Sequence, residues 1–172
     1  MIEKASAGDI DEIAKLYGRV CDSLAGGVNY PGWKKTDYPT RETAEAGLRE
    51  DALFIARQGG RTAGSFILRH EPEPGYALAD WGVELDYGKI FVIYTFCVDP
   101  ELQGRGLGRE MLEFIAEYSA AAGMLAVRLD VYERNAPAIA LYKKCGFRYT
   151  ATVDLGYGEY GLDNFELYQK LL

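Results

Sequence analysis

The sequence is poor in the residues that staple small folds or hold metals. Its 172 residues include three cysteines, Cys21, Cys97 and Cys145, far apart and with no C-x-x-C pair, and a single histidine, His70. That pattern argues against a disulfide framework or a zinc site and fits a reducing compartment, so the cytoplasm is the expected location and no metal is expected. No apolar run approaches the ~18 residues of a membrane span. The first residues, Met-Ile-Glu-Lys-Ala-Ser, lack the apolar core of a secretory signal, so no membrane partner is expected. Repeats at a period of about 20–50 residues and low-complexity tracts are missing too. Lys and Arg number 19 against 26 Asp and Glu, a net charge of −7, and the cations are scattered rather than gathered into a stripe. A nucleic-acid partner is therefore not expected, whereas a cationic partner such as an amine suits the acidic balance.

What is present is an ordinary globular composition, 48% hydrophobic, with 13 tyrosines. The length fits one domain over residues 1–172, able to bury a core without staples. Ile2–Ala5 reads as a strand. Ser6-Ala-Gly-Asp9 matches a capping box ahead of a helix over Gly8–Leu24, in which Ile10, Ile13, Tyr17, Val20, Cys21 and Leu24 recur at helical spacing. A loop, Val28–Pro39, precedes a second helix at Arg41–Glu50, capped by Thr40. Strands follow at Leu53–Arg57 and Thr62–His70, joined by the turn Gln58-Gly59-Gly60. After a long connection, Glu71–Asp86, comes the most strand-like segment, Lys89–Val98, whose near-continuous apolar character predicts burial on both faces. A helix over Gly106–Ala122, a strand over Leu125–Val131, a short helix over Pro137–Lys144 and strands at Phe147–Leu155 and Phe165–Leu171 complete the chain. The last two flank a hairpin tip at Gly156–Gly161. The order β-α-α-β-β-β-α-β-α-β-β predicts an α/β (α+β) fold with a mixed, mostly antiparallel sheet of about seven strands and about four helices.

Gln103-Gly104-Arg105-Gly106-Leu107-Gly108 joins the buried strand to the start of a strong helix. A helix start carries orphan N–H groups and about half a positive charge, which favours phosphate, and glycines let the backbone approach the oxygens. Arg105 and Arg109 add charge at the rim. A P-loop is excluded because no Gly-Lys-Ser/Thr follows. The dinucleotide fingerprint is excluded because its third glycine falls on Arg109, the turn lies past mid-chain, and position 128 is Arg where an acid is required. About 30 residues on lies Asn135-Ala-Pro-Ala138-Ile-Ala-Leu141-Tyr142, followed by Gly146-Phe147.

Together, Gln103-x-x-Gly106-x-Gly108 and Asn135…Ala138…Leu141-Tyr142…Gly146-Phe147 resemble the two coenzyme A segments of the GNAT superfamily of acyl-CoA-dependent N-acyltransferases. The resemblance is strongest from Lys89 to Phe147, and the element order agrees throughout. It implies the GNAT fold and acetyl transfer from acetyl-CoA to the amine of a small molecule or peptide, with a non-catalytic acyl-CoA sensor of the same fold as the alternative. It further implies that Gln103, Gly104, Arg105, Gly106, Leu107, Gly108 and Arg109 hold the pyrophosphate, and that Phe96, Cys97 and Val98 bond the pantetheine arm. On the same resemblance, the Phe96 N–H is expected to polarise the thioester carbonyl, Asn135 to bond the cofactor arm and Tyr142 to protonate the departing thiolate.

A carboxylate that some family members place on the central strand falls at Val92 here, which leaves the base open among Glu84, Asp86 and His70, with Glu84 the leading candidate. Cys97 is discounted as a nucleophile, since it lies in an apolar strand with no basic partner. Acceptor contacts are expected from the variable regions: Tyr30, Trp33 and Tyr38; Asp80, Trp81, Glu84 and Asp86; Tyr157, Tyr160 and Asp163. Aromatics with carboxylates suit a cationic or aromatic amine. A homodimer is open.

Overall fold

The computed structural model describes residues 1–172. Its strands are β1 (Ile2–Lys4), β2 (Leu53–Gln58), β3 (Arg61–Arg69), β4 (Ile90–Val98), β5 (Ala126–Tyr132), β6 (Arg148–Val153) and β7 (Phe165–Leu171). Its helices are α1 (Ile10–Ala25), α2 (Arg41–Arg49), α3 (Leu107–Ala121) and α4 (Ala136–Lys144). The strands form one sheet in the order β1-β2-β3-β4-β5-β7-β6. Pairing is antiparallel for β1–β2, β2–β3, β5–β7 and β6–β7 and parallel for β4–β5. Parallel neighbours need a crossover, and α3 supplies it between β4 and β5. Element order and mixed sheet agree with the sequence reading.

The chain divides into two compact units. One comprises Met1–Asn29, Trp33–Leu68 and Tyr94–Met111; the other comprises Tyr30–Gly32, Arg69–Ile93 and Leu112–Leu172. In the first, the α1 stripe Ile10, Ile13, Leu16, Tyr17 and Val20 packs with Ala44 of α2, Leu53 and Ile55 of β2, Ile67 of β3 and Cys97 of β4. Each fully buried aliphatic side chain of this kind contributes about 1.5–3 kcal/mol. The β2–β3 hairpin closes at Gln58 opposite Arg61 across Gly59 and Gly60. Asp99 follows β4 and is fully buried. It accepts from Arg19 Nε at 3.0 Å, from Arg19 Nη2 at 2.8 Å and from the Glu101 N–H at 3.0 Å. The carboxylate thereby caps a 3-10 turn at Pro100–Leu102 and sets the direction in which the chain leaves β4.

In the second unit, β5 pairs with β7 from Ala126 opposite Leu171 to Tyr132 opposite Phe165. Val127, Leu129 and Val131 of β5 are buried, with Leu167 and Tyr168 of β7 and Leu112 and Ile115 of α3.

Three local features differ from the sequence reading. The first helix opens as a 3-10 turn, Ala7–Asp9, with the Ser6 N–H and hydroxyl both donating to Asp9 Oδ2 at 2.8 Å. The connection before β4 carries 3-10 turns at Pro74–Leu78 and Tyr87–Lys89. β4 is not buried on both faces throughout. Ile90, Val92 and Ile93 are buried, but Tyr94, Phe96 and Val98 are half-exposed and alternate with buried Thr95 and Cys97. The parallel register with β5 covers Ile90–Val92, and even there Phe91 is half-exposed, so burial alternates along most of the strand. No helix is long and apolar enough to cross a membrane.

Replacing one partner of a buried ion pair leaves the other desolvated and uncompensated. Arg61 stays 3.8 Å from Asp99, so Arg19→Leu is expected to lower stability by about 1–3 kcal/mol in urea denaturation, and Asp99→Asn added to it recovers part of that loss.

Candidate active site

The glycine turn is built to expose its backbone. Gln103, Gly104, Arg105 and Gly106 are exposed, and Gly104 and Gly106 take φ of +74° and +91°. At neither position does an added Cβ have any atom within 4 Å, so the space beside both glycines is open. A side chain there is disfavoured by the left-handed backbone, not by crowding. The Gly106 carbonyl accepts the Glu110 N–H at 3.0 Å, which starts α3 at Leu107. The first turn of α3, with its orphan N–H groups, thus opens at this loop. Gln103 reaches back through Nε2 to the Val98 carbonyl at 3.5 Å. Arg105 and Arg109 are exposed at the rim. A diphosphate fits this arrangement of open amides and flanking cations.

Thr95 of β4 has φ of +49°, a conformation strongly disfavoured for a β-branched residue and worth about 1–3 kcal/mol of strain. Its hydroxyl is hydrogen-bonded to that of Tyr38. Tyr38 in turn meets the edge of Trp33, ring centroids 5.8 Å apart. The strain sits immediately before Phe96, where it interrupts the regular strand. Cys97, next in line, is buried, and burial pushes its thiol up to about 12. It stays protonated and inert, as its apolar setting suggests.

In the second unit, Asn135 caps α4, its Oδ1 accepting the Ala138 N–H at 3.3 Å. Tyr142 lies one turn before the helix end, buried, with its ring edge-on to Phe147 at 6.0 Å. Burial, reinforced by the charge of Asp130, raises its phenol well above the usual tyrosine range, so it holds its proton at neutral pH. Asp130 lies on β5 and accepts the Tyr76 hydroxyl proton at 2.8 Å. Burial pushes the Asp130 carboxyl up to about 6; the Tyr76 hydrogen bond opposes the shift and the charge of Glu73 adds to it. Tyr157 belongs to the same cluster: burial, then Glu73 and Asp130, raise its phenol. One partly buried carboxylate therefore acts on three phenols, of which one donates to it and two are made harder to ionise by its charge.

The remaining candidates are dispersed. Glu84 is exposed on the connection before β4. Asp86 accepts the Gly88 N–H at 2.7 Å, which ties it to a local turn, and Asp80 does the same for Gly82 at 2.8 Å. His70 Nδ1 faces the carbonyls of Tyr87 at 3.0 Å and Ile90 at 2.8 Å and so serves the backbone. Tyr30 is half-buried and Tyr160 exposed. Trp81 is occupied by the Arg128 guanidinium, 3.9 Å from its ring centroid.

Comparison with known proteins shows the family. The profile of the Acetyltransferase (GNAT) family matches residues 20–147. The chain belongs to the GNAT acetyltransferase family. With that membership comes the reaction class, acetyl transfer from acetyl-CoA to an amine. One relative of this GNAT chain is the [Ribosomal protein bS18]-alanine N-acetyltransferase of Salmonella typhimurium, 32% identical over 126 residues, covering 71% of this chain and 81% of that protein. Another is the mycothiol acetyltransferase of Amycolatopsis mediterranei, 36% identical over 110 residues, covering 63% of this chain but 34% of that protein. The chain thus spans about a third of the latter's length. A GNAT-family acetyltransferase of Streptococcus agalactiae shares the fold at a TM-score of 0.81 and 19% identity, covering 100% of this chain and 95% of that one.

The sequence reading of this GNAT protein missed Asp130, Tyr76 and the strained Thr95. A signal for Asp130 was present, since it is the one acid in the strand Ala-Val-Arg-Leu-Asp-Val-Tyr. Tyr76 comes from a distant connection, and its meeting with Asp130 exists only in three dimensions.

A carboxyl near 6 in the fold and near ~3.9 unfolded contributes its full stability below about pH 4 and loses it as pH rises through 6. At pH 7 the charge of Asp130 therefore works against folding by up to about 3 kcal/mol. Asp130→Asn is expected to raise the denaturation midpoint at pH 7 and to leave it nearly unchanged at pH 4, measured by urea titration at both pH values.

Proposed function

We propose that this GNAT acetyltransferase transfers acetyl directly to an amine, with Asp130 as the base and Tyr142 as the acid. The observation that carries the reading is the electrostatic cluster around Asp130. It holds a carboxyl near 6, ionised at neutral pH yet poised to accept a proton, and a buried phenol that keeps its own. Burial raises both groups, but from such different starting values that at neutral pH the carboxyl is ionised and the phenol is not, which suits base and acid roles.

Acetyl-CoA, the co-substrate, supplies an acyl group activated as a thioester. The residues that fit it are the open amides of Gly104, Gly106, Leu107 and Gly108 for the diphosphate, with Gln103, Arg105 and Arg109 flanking. The β4 backbone at Phe96, Cys97 and Val98 serves the pantetheine arm. Asn135 contributes through Nδ2, its Oδ1 being taken by the α4 cap. The Phe96 N–H, following the strained Thr95, is the donor assigned to the negative charge that develops on the thioester oxygen; a fixed donor of this kind is worth several kcal/mol.

The amine must lose a proton to attack. For a lysine-like group of pKa ~10.4 that costs on the order of 4–5 kcal/mol at pH 7. Asp130 replaces Glu84 in the base role because Glu84 is exposed, whereas Asp130 shares its surroundings with Tyr142. A thiolate near pKa ~8.5 leaves readily, so Tyr142 contributes at the lower end of the usual range, about 10²-fold. Tyr76 and Tyr157 flank Asp130 and are the acceptor contacts this reading favours. The three free cysteines support a cytoplasmic place of work.

Coenzyme A release across a panel of amines tests the proposal. Wild type is expected to turn over at least one class of amine. Tyr142→Phe is expected to lower kcat about 10²-fold with little change in the KM for acetyl-CoA. Gly106→Asp, which brings a negative charge and a strained backbone to the diphosphate turn, is expected to raise that KM. Absence of release with every amine, or full single-turnover activity of Tyr142→Phe, contradicts the assignment.

A further inference from the structure

Two residues before Asp130, β5 carries the most thoroughly buried cation of the chain. Arg128 is 1% exposed. Its Nε donates to Gln169 Oε1 at 2.9 Å and its Nη1 to the Tyr87 hydroxyl at 3.0 Å. Its guanidinium lies 3.9 Å from the ring centroid of Trp81 and 5.2 Å from that of Tyr87. Its Nη2 is buried and has no hydrogen-bond partner.

No carboxylate accompanies this charge. Arg19, Arg41, Arg57 and Arg61, all more exposed, each pair with at least one acid. Arg128 has two neutral acceptors and two aromatic faces, and the groups that act on it electrostatically are Tyr87 and Tyr76. Buried charges are ordinarily paired, because a desolvated ion without a counter-charge is costly. In a chain with a surplus of acids, leaving the deepest guanidinium without one is a specific arrangement. The neighbouring carboxylate, Asp130, is engaged by Tyr76 instead.

The cover over Arg128 belongs to an irregular segment with an exposed continuation. Trp81 follows the 3-10 turn Pro74–Leu78 and stands in a stretch without regular structure. It is anchored by Nε1 donating to the Tyr76 carbonyl at 3.0 Å and by its own carbonyl accepting Gln169 Nε2 at 3.1 Å. Gly82, Val83 and Glu84 beyond it are exposed. Gln169 thus holds both the guanidinium and the backbone of the residue stacked on it.

We infer that Arg128 is an oxyanion site for the acceptor, so that the acceptor class is a small amine bearing its own carboxylate, as an amino acid does. This rests on the assignment of Asp130 as base. Side chains at 128 and 130 leave the same face of β5, about 6–7 Å apart along the strand. An amine placed at Asp130 has its carboxylate within reach of Nη2, which supplies the charge-assisted bond the guanidinium lacks. Trp81 and Tyr87 then flank the carbon skeleton between the two groups.

Matched pairs of acceptors test this, free L-amino acids against their carboxamides. Two readouts are used on the intact chain: coenzyme A release, and thermal shift in the presence of coenzyme A. The acid member is expected to exceed the amide by about 10- to 100-fold in kcat/KM, the worth of a hydrogen bond between charged groups, and to be the member that stabilises the protein. Arg128→Gln is expected to bring the ratio close to one, and Arg128→Lys to retain part of it. Equal use and equal stabilisation by acids and amides in wild type overturn the inference while leaving the acetyltransferase assignment standing. Stabilisation by acids alone, with no turnover of any amine, keeps the anion site and overturns that assignment. If Arg128→Gln fails to fold, the wild-type pairs still decide.

Discussion

A carboxylate kept partly out of water on a sheet strand is the constraint on which the proposed chemistry depends. Asp130 is placed by β5, whose alternate residues Val127, Leu129 and Val131 are buried in the core. That alternation fixes which way Asp130 points, and the pairing of β5 with β7 fixes its register. Desolvation then does what sequence alone cannot specify, lifting an ordinary aspartate toward neutrality. The same burial raises Tyr142, which keeps its proton, while the carboxyl, though raised, is still ionised at neutral pH.

The neighbourhood of Asp130 is organised by the connection before β4. Tyr76 donates to Asp130, Trp81 stacks on Arg128, and Gln169 of β7 links Arg128 to the Trp81 carbonyl. These bonds hold an irregular segment against two strands. They also place a negative and a positive group on one face of β5, a pattern complementary to an acceptor with an amine at one end and a carboxylate at the other. Elsewhere, the Tyr38–Thr95 contact and the Arg19–Asp99 pair each stabilise backbone that departs from regular structure, one within β4 and one just after it.

The parts of this arrangement that were legible in the sequence are those encoded locally. Gln103–Gly108 announces an open turn because its glycines and the following helix are contiguous, and the structure gives Gly104 and Gly106 the left-handed backbone that such a turn needs. The α1 stripe and the Gly59-Gly60 hairpin were readable for the same reason. Tyr142 was singled out from its place beside Gly146-Phe147, but its altered acidity was not, since that comes from burial and from Asp130. Asp130 itself was passed over in favour of loop acids. Loops are where functional carboxylates are usually sought, and nothing local shows that Tyr76 and Glu73 converge on it. β4 looked doubly buried because composition reports hydrophobicity, not which of the strand's two faces is covered.

The central claim, that Asp130 takes the proton of the acceptor amine, is tested most directly by the pH dependence of single-turnover acetyl transfer in wild type and Asp130→Asn. The account predicts a wild-type rate that falls as pH drops through about 6, and a variant that is slower and lacks that limb. A variant that kept both the rate and the limb would contradict it.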